Sequence, residues 1–505
     1  MSAAERADGA GPDRAGAIAF ESRAGRWVLA IAVLGSGIAF LDGTVLNVAL
    51  PAIGRDLDAS TSELQWIVNG YLLTLASLIL LGGSLGDRVG RRAIFTLGTA
   101  WFTTASALCA LAPSAEVLIA ARLLQGIGGA LLTPGSLAMI DASFRRTDRA
   151  RAIGAWSGLT GVGVALGPLL GGWLVDAVSW RAVFLINLPL GLFVCLMAPR
   201  HVPETRDPTA HGRLDVLGAL LAALGLAGTT YALIQSPEGM SVAVVVGAVG
   251  GVAALVWFVL HERRAEHPML PLSLFANRQF SAANLVTVVV YAALSGMFFL
   301  LVAFLQISMG YTPLAAGAAS LPVTLLMLLL SARSGAFAQA VGPRIPLTLG
   351  PLVIAVAMLL MLRIEPGDSY VGSVLPAVVV FGVGLTLVVA PITATVLAAA
   401  DDRHAGIASG INNAVSRVAG LLAVAVLPLI GGITGDAFYD AQAMSDGFHM
   451  AMVATAALSA LGGVLAWLTI DPRVLEPEAE PPHYQCPVSG APLRAGREAR
   501  EPAQA

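Results

Sequence analysis

The chain has 505 residues, of which 56% are hydrophobic and 12% charged, and its formal net charge is −3. With a mean hydropathy of +0.78, it carries more apolar surface than a soluble domain of this length could bury. The composition therefore excludes a soluble protein and predicts a polytopic membrane protein. All 29 basic residues are arginine, which excludes a Walker A loop, a Schiff-base lysine and a catalytic lysine. We expect no enzyme activity and no cofactor.

Windows of about 20 apolar residues, the length that crosses a bilayer, occur fourteen times along the chain. The windows are residues 27–50, 65–86, 93–112, 116–140, 152–175, 182–199, 215–235, 242–260, 281–305, 313–332, 345–363, 371–399, 406–433 and 448–470. Because this number is even, both termini are expected on one side of the membrane.

The arginines indicate which side that is. On this map 24 of the 29 lie on the side of the termini, two lie within spans, and three lie on the other side: Arg55, Arg181 and Arg363. Loops retained in the cytoplasm collect basic residues, so the pattern predicts cytoplasmic termini. The first 26 residues are polar and lack an apolar core with a cleavage site, so we expect no removable signal peptide.

Asp42 lies about two thirds of the way along the first span. An ionised carboxylate there costs about 3 kcal/mol or more, so such residues usually face a bundle interior and serve transport. Asp42 is eight residues before the end of span 1 at Leu50, and Arg122 is six residues after the start of span 4. At about 1.5 Å per residue, both lie roughly 9 to 12 Å below the same boundary. The two charges are therefore expected to share one cavity.

The turn between spans 2 and 3 combines glycines with charges: Gly83, Asp87, Arg88, Gly90, Arg91 and Arg92. Such a cluster could latch two helical bundles together in one state and release them in another, or it could be an ordinary basic turn. A weaker copy follows span 10, where Gly335, Gly342 and Arg344 recur but Gln339 and Ala340 replace the Asp-Arg pair. This partial repeat is typical of a transporter built from two related halves.

Span 5 is crowded with glycines around one proline, namely Gly163, Gly167, Pro168, Gly171 and Gly172. Gly163, Gly167 and Gly171 recur every fourth residue, which permits close helix contact, and Pro168 is expected to kink the helix. Ordinary small-residue packing is the alternative interpretation.

These motifs resemble those of the fourteen-span drug:proton antiporters of the major facilitator superfamily, the EmrB/QacA type. The latch resembles that superfamily's conserved loop, and Gly163 to Gly172 resemble its antiporter motif. Similar segments lie at residues 41–51, 122–130, 180–191 and 406–413. In span 13 the chain departs from the family, because Arg417 is displaced by one position from the usual basic residue. The likeness covers residues 27 to 470.

The resemblance implies an all-α major facilitator fold of two six-helix bundles, residues 27–199 and 281–470. Two extra helices would lie in a central linker at 200–280. Residues 1–26 would form a cytoplasmic tail, and the proline-rich residues 471–505 a disordered one. The implied location is a bacterial plasma membrane, where we expect a monomer in contact with lipid, without a metal site or a nucleic-acid partner.

The function that follows is export of hydrophobic drugs or antibiotics in exchange for protons, by alternating access. We expect Asp42 to carry the proton or compete with substrate for it, Arg122 to tune it, and Gln125 and Asn47 to line the same cavity. A fixed structural Asp42–Arg122 pair, or Asp42 capping Thr44, are the alternatives at this site. A facilitator for a small metabolite, and a membrane receptor or structural subunit, are the alternatives for the whole chain.

Polar and aromatic residues in the spans are further candidates for the cavity, although packing or anchoring at the membrane interface explains each equally simply. They are Trp66, Tyr71, Tyr291, Phe298, Phe299, Asn412 and Asn413. No acidic residue falls within spans 9 to 14 as drawn above, so we expect poor handling of dicationic compounds.

Overall fold

The structure is a computed structural model that describes residues 18–207, 213–400, 405–475, 483–485 and 493–495. Its sixteen α-helices are α1 Arg23–Leu57, α2 Thr61–Val89, α3 Arg91–Ala110, α4 Ala115–Ser143, α5 Arg146–Ala177, α6 Ala182–Leu185, α7 Asn187–His201, α8 Val216–Gln235, α9 Val242–Glu262, α10 Arg278–Ile307, α11 Pro313–Ala319, α12 Leu321–Val341, α13 Arg344–Met361, α14 Leu375–Ala398, α15 Ala405–Ile430 and α16 Ala441–Thr469. Two three-residue strands, β1 His483–Gln485 and β2 Leu493–Ala495, pair in antiparallel fashion.

These helices make fourteen segments that are long and apolar enough to cross a membrane, which confirms the predicted number. Two of the segments are interrupted near a proline. Pro189 has no N–H to donate to the carbonyl of Leu185, the residue at which α6 ends. Pro322 lies in the first turn of α12, directly after the break that separates α11 from α12, and it too lacks an N–H. The helices extend beyond the apolar windows because local caps, such as the Ser60–Glu63 capping box of α2, set their ends.

The segments run alternately up and down, so the bundle has two ends. We call the end where α1 begins and α16 finishes the termini face, and the opposite end the far face. Residues 18–22, part of the predicted cytoplasmic tail, pack at the termini face, where the Ile18 N–H donates to the Ser143 carbonyl. Most of the predicted disordered tail, like residues 1–17, lies outside the described residues.

Helices α8 and α9 separate, in sequence, two sets of helices that we name halves. The N-half is α1 to α7 and the C-half is α10 to α16. Helices α8 and α9 pack on each other, and α8 also packs on α2 of the N-half and α15 of the C-half. Leu226 of α8, Leu73 of α2 and Leu421 of α15 form one apolar cluster at this seam. The predicted bundle of fourteen membrane-spanning helical segments is confirmed.

The partial repeat is visible in two matching turns. Gly90, after α2, has φ 138°, and Gly342, after α12, has φ 81°, a backbone conformation that favours glycine. A Cβ added at Gly90 would meet the Glu204 carboxylate, just beyond the last helix of the N-half. A Cβ added at Gly342 would meet Pro472, just beyond the last helix of the C-half. In both halves, the turn after the second spanning segment therefore packs against the residues that follow the last helix of that half.

The two halves are joined at the far face. Every hydrogen bond recorded between described residues of the two halves lies in the far-face portion of the bundle. Two side chains of α2 donate across this face, Thr61 to the Gly435 carbonyl and Gln65 to the Val424 and Ala425 carbonyls. Three donors of the C-half act in the other direction: Gln306 donates to the Val48 carbonyl, the Leu314 N–H to the Asp176 carboxylate, and the Tyr439 hydroxyl to the Ala59 carbonyl. Burial raises the pKa of Tyr439 to about 12, so its hydroxyl stays protonated and can donate this bond.

The prediction of poor dication handling stays a prediction, but α16 is longer than the apolar window on which it was based. Helix α16 begins at Ala441, seven residues before the apolar window, and therefore includes Asp446. Asp446 is exposed and accepts a hydrogen bond from Gln442 one turn away, close to the far-face end of the helix. The spanning helices of the C-half thus do hold an acid, although it lies at their polar margin.

Candidate functional site

Asp42 lies in the interior of the N-half and is 3% exposed. One carboxylate oxygen accepts a hydrogen bond from the Arg122 guanidinium at 2.5 Å. The other accepts from the Gln125 amide at 2.8 Å and from the Asn187 amide at 3.3 Å. Donors from α4 and α7 therefore surround a carboxylate of α1, and the contact predicted from helix depth is present.

Arg122 is equally enclosed, with 1% of its surface exposed. Besides Asp42, its guanidinium donates to the Gln125 side-chain oxygen at 2.5 Å and to the Ile67 carbonyl at 3.0 Å. It also lies 4.5 Å from the centroid of the Tyr71 ring, so an aromatic face of α2 supports the charge. The positive charge is paired, hydrogen-bonded and shielded from water.

Asn187 was not among the predicted site residues, yet it completes the cluster. Its amide also donates to the Ser106 hydroxyl at 3.2 Å, and Gln125 donates to the same hydroxyl at 2.8 Å. The signal was present in the sequence, because Asn187 is a polar residue within the apolar sixth span. Its depth, however, depends on the helix break at Ile186, which periodicity alone did not predict.

We call Asp42, Arg122, Gln125, Asn187 and Ser106 the carboxylate site. Asn47, which was expected to belong to it, is half-buried further along α1 and makes no recorded hydrogen bond to these residues among those that the structure describes.

The carboxylate site differs from the expected cavity in being closed. All five of its members are at most 3% exposed. A buried carboxylate is stabilised only when donors satisfy its oxygens, and here three side chains do so. Thr44 donates to the Leu41 carbonyl rather than to Asp42, so the structure does not support the capping alternative. Such a site can hold a negative charge without water, and protonation of Asp42 would remove the charge that the three donors bind.

The charged residues of the predicted latch form a cluster, and its role as a latch stays a prediction. Asp87 pairs with Arg91 at 2.7 Å, and Arg92 pairs with Glu204 at 3.5 Å. Arg88 donates to the Arg213 carbonyl at 3.3 Å. These contacts fasten the α2–α3 turn to the segment between α7 and α8. In this conformation the expected connection between the two bundles is therefore not observed among the recorded contacts.

The glycine–proline motif of α5 lies between the two halves. Added Cβ atoms at Gly167 and Gly171 would meet Thr44 and Val45 of α1, as close helix packing requires. Gly163 does not share this contact, contrary to prediction, because a Cβ there would meet nothing within 4 Å.

The motif also has contacts that were not predicted. A Cβ at Gly172 would lie 2.5 Å from the Pro313 carbonyl oxygen, and one at Gly317 of α11 would meet the Pro168 carbonyl. The far-face end of α5 thus packs closely on both α1 and α11, one helix from each half.

The polar candidates of the C-half form a separate group. Asn412 of α15 donates to the Asn284 side-chain oxygen at 3.1 Å and to the Thr287 hydroxyl at 2.8 Å, both on α10. These contacts account for Asn412 as a packing residue. Among the described residues, no three or more His, Cys, Asp and Glu side chains lie together as a metal site would need.

Comparisons with known proteins agree with this architecture. A family model of the Major Facilitator Superfamily matches residues 32–424. The chain is 38% identical over 443 residues to the "Probable actinorhodin transporter" of Streptomyces coelicolor, covering 85% of this chain and 76% of that protein. It is 37% identical over 454 residues to the "Methylenomycin A resistance protein" of Bacillus subtilis, covering 88% and 95%.

Among solved structures, a bacterial homologue of the human lysosomal transporter Spinster, in an inward-facing and unoccupied conformation, has a TM-score of 0.63. Its sequence identity is 17%, and the match covers 90% of this chain and 98% of that one. This likeness concerns the fold alone. The chain belongs to the major facilitator superfamily and is a multi-pass membrane protein.

Proposed function

We propose that the protein is a secondary efflux transporter that exports hydrophobic drugs or antibiotics in exchange for protons. The names of its relatives support this substrate class, since they include an antibiotic transporter and an antibiotic resistance protein. The observation that carries proton coupling is the carboxylate site. Asp42 is a fully enclosed carboxylate in a transporter interior, held by three donors that protonation would release.

The coupling route we propose runs along α1. Asp42 is followed on this helix by Thr44 and Val45, against which Gly167 and Gly171 of α5 pack. One turn further, the Val48 carbonyl accepts a hydrogen bond from Gln306 of the C-half at 2.9 Å. Protonation of Asp42 would weaken the hold of α4 and α7 on α1, and the same helix contributes to far-face closure. Proton binding and the opening of the far face would thereby be linked.

In this proposal the termini face is cytoplasmic and the membrane is a bacterial plasma membrane, as the arginine distribution supports. The conformation described here is then closed to the outside. Protons would enter from outside in the opposite conformation and leave to the cytoplasm from this one. The energy source is the proton gradient, and the working unit is a monomer.

Transport in everted vesicles tests the proposal. With an acidic lumen, wild-type vesicles should accumulate actinorhodin, the compound named for one relative, against its gradient, and Asp42→Asn vesicles should not. Equilibrative exchange of labelled compound should persist in Asp42→Asn if the variant still alternates. Uphill, gradient-dependent accumulation by Asp42→Asn would contradict a coupling role for this residue.

A facilitator that moves a small metabolite downhill is the competing function. It requires no buried carboxylate and predicts no accumulation against a gradient in wild-type vesicles. The same vesicle experiment therefore separates the two functions, because only the antiporter responds to collapse of the proton gradient.

A further inference from the structure

A second charge lies deep in the bundle, outside the carboxylate site. Arg417 is on α15 of the C-half, twelve residues after the helix begins. Its guanidinium lies 5.4 Å from the centroid of the Phe40 ring, on α1 of the N-half. Arg417 therefore lies where the two halves face each other, beside an aromatic ring of the opposite half.

Arg417 has no counter-charge among the described residues. The recorded ion pairs do not include it, and its Nε is buried without a hydrogen-bond partner. Asp42, the acid deep in the N-half, already receives three donors. Asp446 is exposed near the far-face end of α16. This contrasts with Arg122, whose guanidinium donates three hydrogen bonds, one of them to a carboxylate.

Two other arginines in the helices of the C-half, Arg333 and Arg344, lie at or near the termini face. Arg333 is exposed and lies eight residues from the end of α12, about 12 Å, so its long side chain can extend towards water at the termini face. Arg344 begins α13 at that face and lies 4.2 Å from the Trp467 ring. Only Arg417 combines depth, a position between the halves and lack of an acidic partner among these residues.

We propose that Arg417 binds an anionic group of the exported compound. An unpaired charge within a membrane protein is costly, and a guanidinium recovers most interaction energy from a planar carboxylate or a similar oxyanion. Phe40, whose ring lies beside Arg417, would receive the apolar part of the same compound. The substrate class is thus an amphipathic, preferably aromatic compound with one ionised acidic group. This inference rests on the proposed export function and specifies its substrate.

The charges of the two halves divide the work in this proposal. Asp42, enclosed in the N-half, handles the proton, while Arg417, facing the seam between the halves, handles the substrate. A cationic substrate would compete with the proton for the Asp42 carboxylate. An anionic substrate bound by Arg417 would not. The opposite preference, for cations, would need an acid in the place of Arg417, and among the described residues no recorded ion pair brings an acid to Arg417.

Three probes of one shape test the charge preference: 2-naphthoate, neutral 2-naphthamide and cationic 2-naphthylmethylamine. Their binding to the purified full-length chain in detergent is measured by calorimetry. Wild-type protein should bind the naphthoate about tenfold or more tightly than the amide, and the amine weakest. Arg417→Gln should abolish this preference and Arg417→Lys should keep part of it. Arg344→Gln is the matched control and should behave as wild type.

The proposal is overturned if the wild type binds none of the probes, if it prefers the amide or the amine, or if Arg417→Gln retains the anion preference. Size-exclusion profiles and melting temperatures of each variant show whether a loss reflects misfolding, and Arg417→Lys preserves the charge if Arg417→Gln does not fold. The binding test needs no proton gradient and is independent of the vesicle test. If the protein prefers anions in the binding test but shows no proton-coupled transport in vesicles, only the proposed export function is contradicted. Proton-coupled transport without anion preference contradicts only the role of Arg417.

Discussion

The Asp42–Arg122 pair is unusual at the scale of single residues because it is both buried and fully hydrogen-bonded. Removing two charges from water costs several kcal/mol for each, and the pair recovers this only through mutual attraction and additional donors. Gln125 and Asn187 supply those donors on the carboxylate side, and Ile67 and Tyr71 support the guanidinium. The arrangement suits a carboxylate that is held firmly by its donors when ionised, and whose hydrogen bonds weaken when protonation neutralises it.

This interdependence predicts a specific pattern of stability. Arg122→Gln leaves Asp42 as an uncompensated buried charge and should destabilise the protein by about 3–5 kcal/mol. Adding Asp42→Asn removes that charge and should recover much of the loss. The measurement is a double-mutant cycle of thermal unfolding in detergent, with Arg344→Gln as a control arginine. If the free energy of unfolding of the double variant falls by the sum of the decreases in the two single variants, the two charges are not coupled.

At the scale of elements, α5 is one of the helices that join the two halves at the far face. Its glycines permit contact with α1 through Gly167 and Gly171 and with α11 through Gly172. The glycine–proline motif of α5 is thus a packing surface between the halves, in addition to being a small-residue stripe within one of them. Helix α8 adds a second connection by packing on both α2 and α15.

Two valine substitutions on α5 separate this gate from general helix packing. Gly172→Val places a branched side chain against the Pro313 backbone and should keep the far face open, whereas Gly163→Val meets open space and should be nearly silent. A cysteine at Ala59, in a background without the native cysteines, reports closure through its reaction with an impermeant maleimide applied to the far face. Faster labelling is expected with Gly172→Val only.

Equal labelling rates in the two valine variants would contradict the gate at Gly172. Ala59 is a suitable reporter position because it is 2% exposed and contributes only its backbone carbonyl to the bond from Tyr439.

At the scale of the whole molecule, the sequence predicted the architecture because the bilayer constrains it strongly. Hydropathy located all fourteen spans, and counting residues from helix ends brought Asp42 and Arg122 to the same depth. Rotation around each helix was beyond such counting. For that reason Gly163 was assigned to a contact it does not make, and Asn47 was assigned to a site from which it is separate. Asn187 was missed because its position depends on the helix break at Ile186.

The conformational state was equally beyond the sequence. The latch was expected to bridge the bundles, yet a single structure holds one arrangement of the halves, and here the recorded hydrogen bonds between them lie at the far face. Whether a helix end meets its own half or the other depends on small free-energy differences between two packings of the same sequence. Local motifs carry no information about that balance.

The central claim is that the protonation of Asp42 changes during transport. Difference infrared spectroscopy of the reconstituted protein observes the carbonyl stretch of a protonated carboxyl group directly as substrate is added. We predict that substrate binding removes a protonated-carboxyl band in the wild type, and that Asp42→Asn lacks this signal while a variant of the exposed acid, Asp446→Asn, retains it. An unchanged substrate-induced carboxyl band in Asp42→Asn would contradict the account.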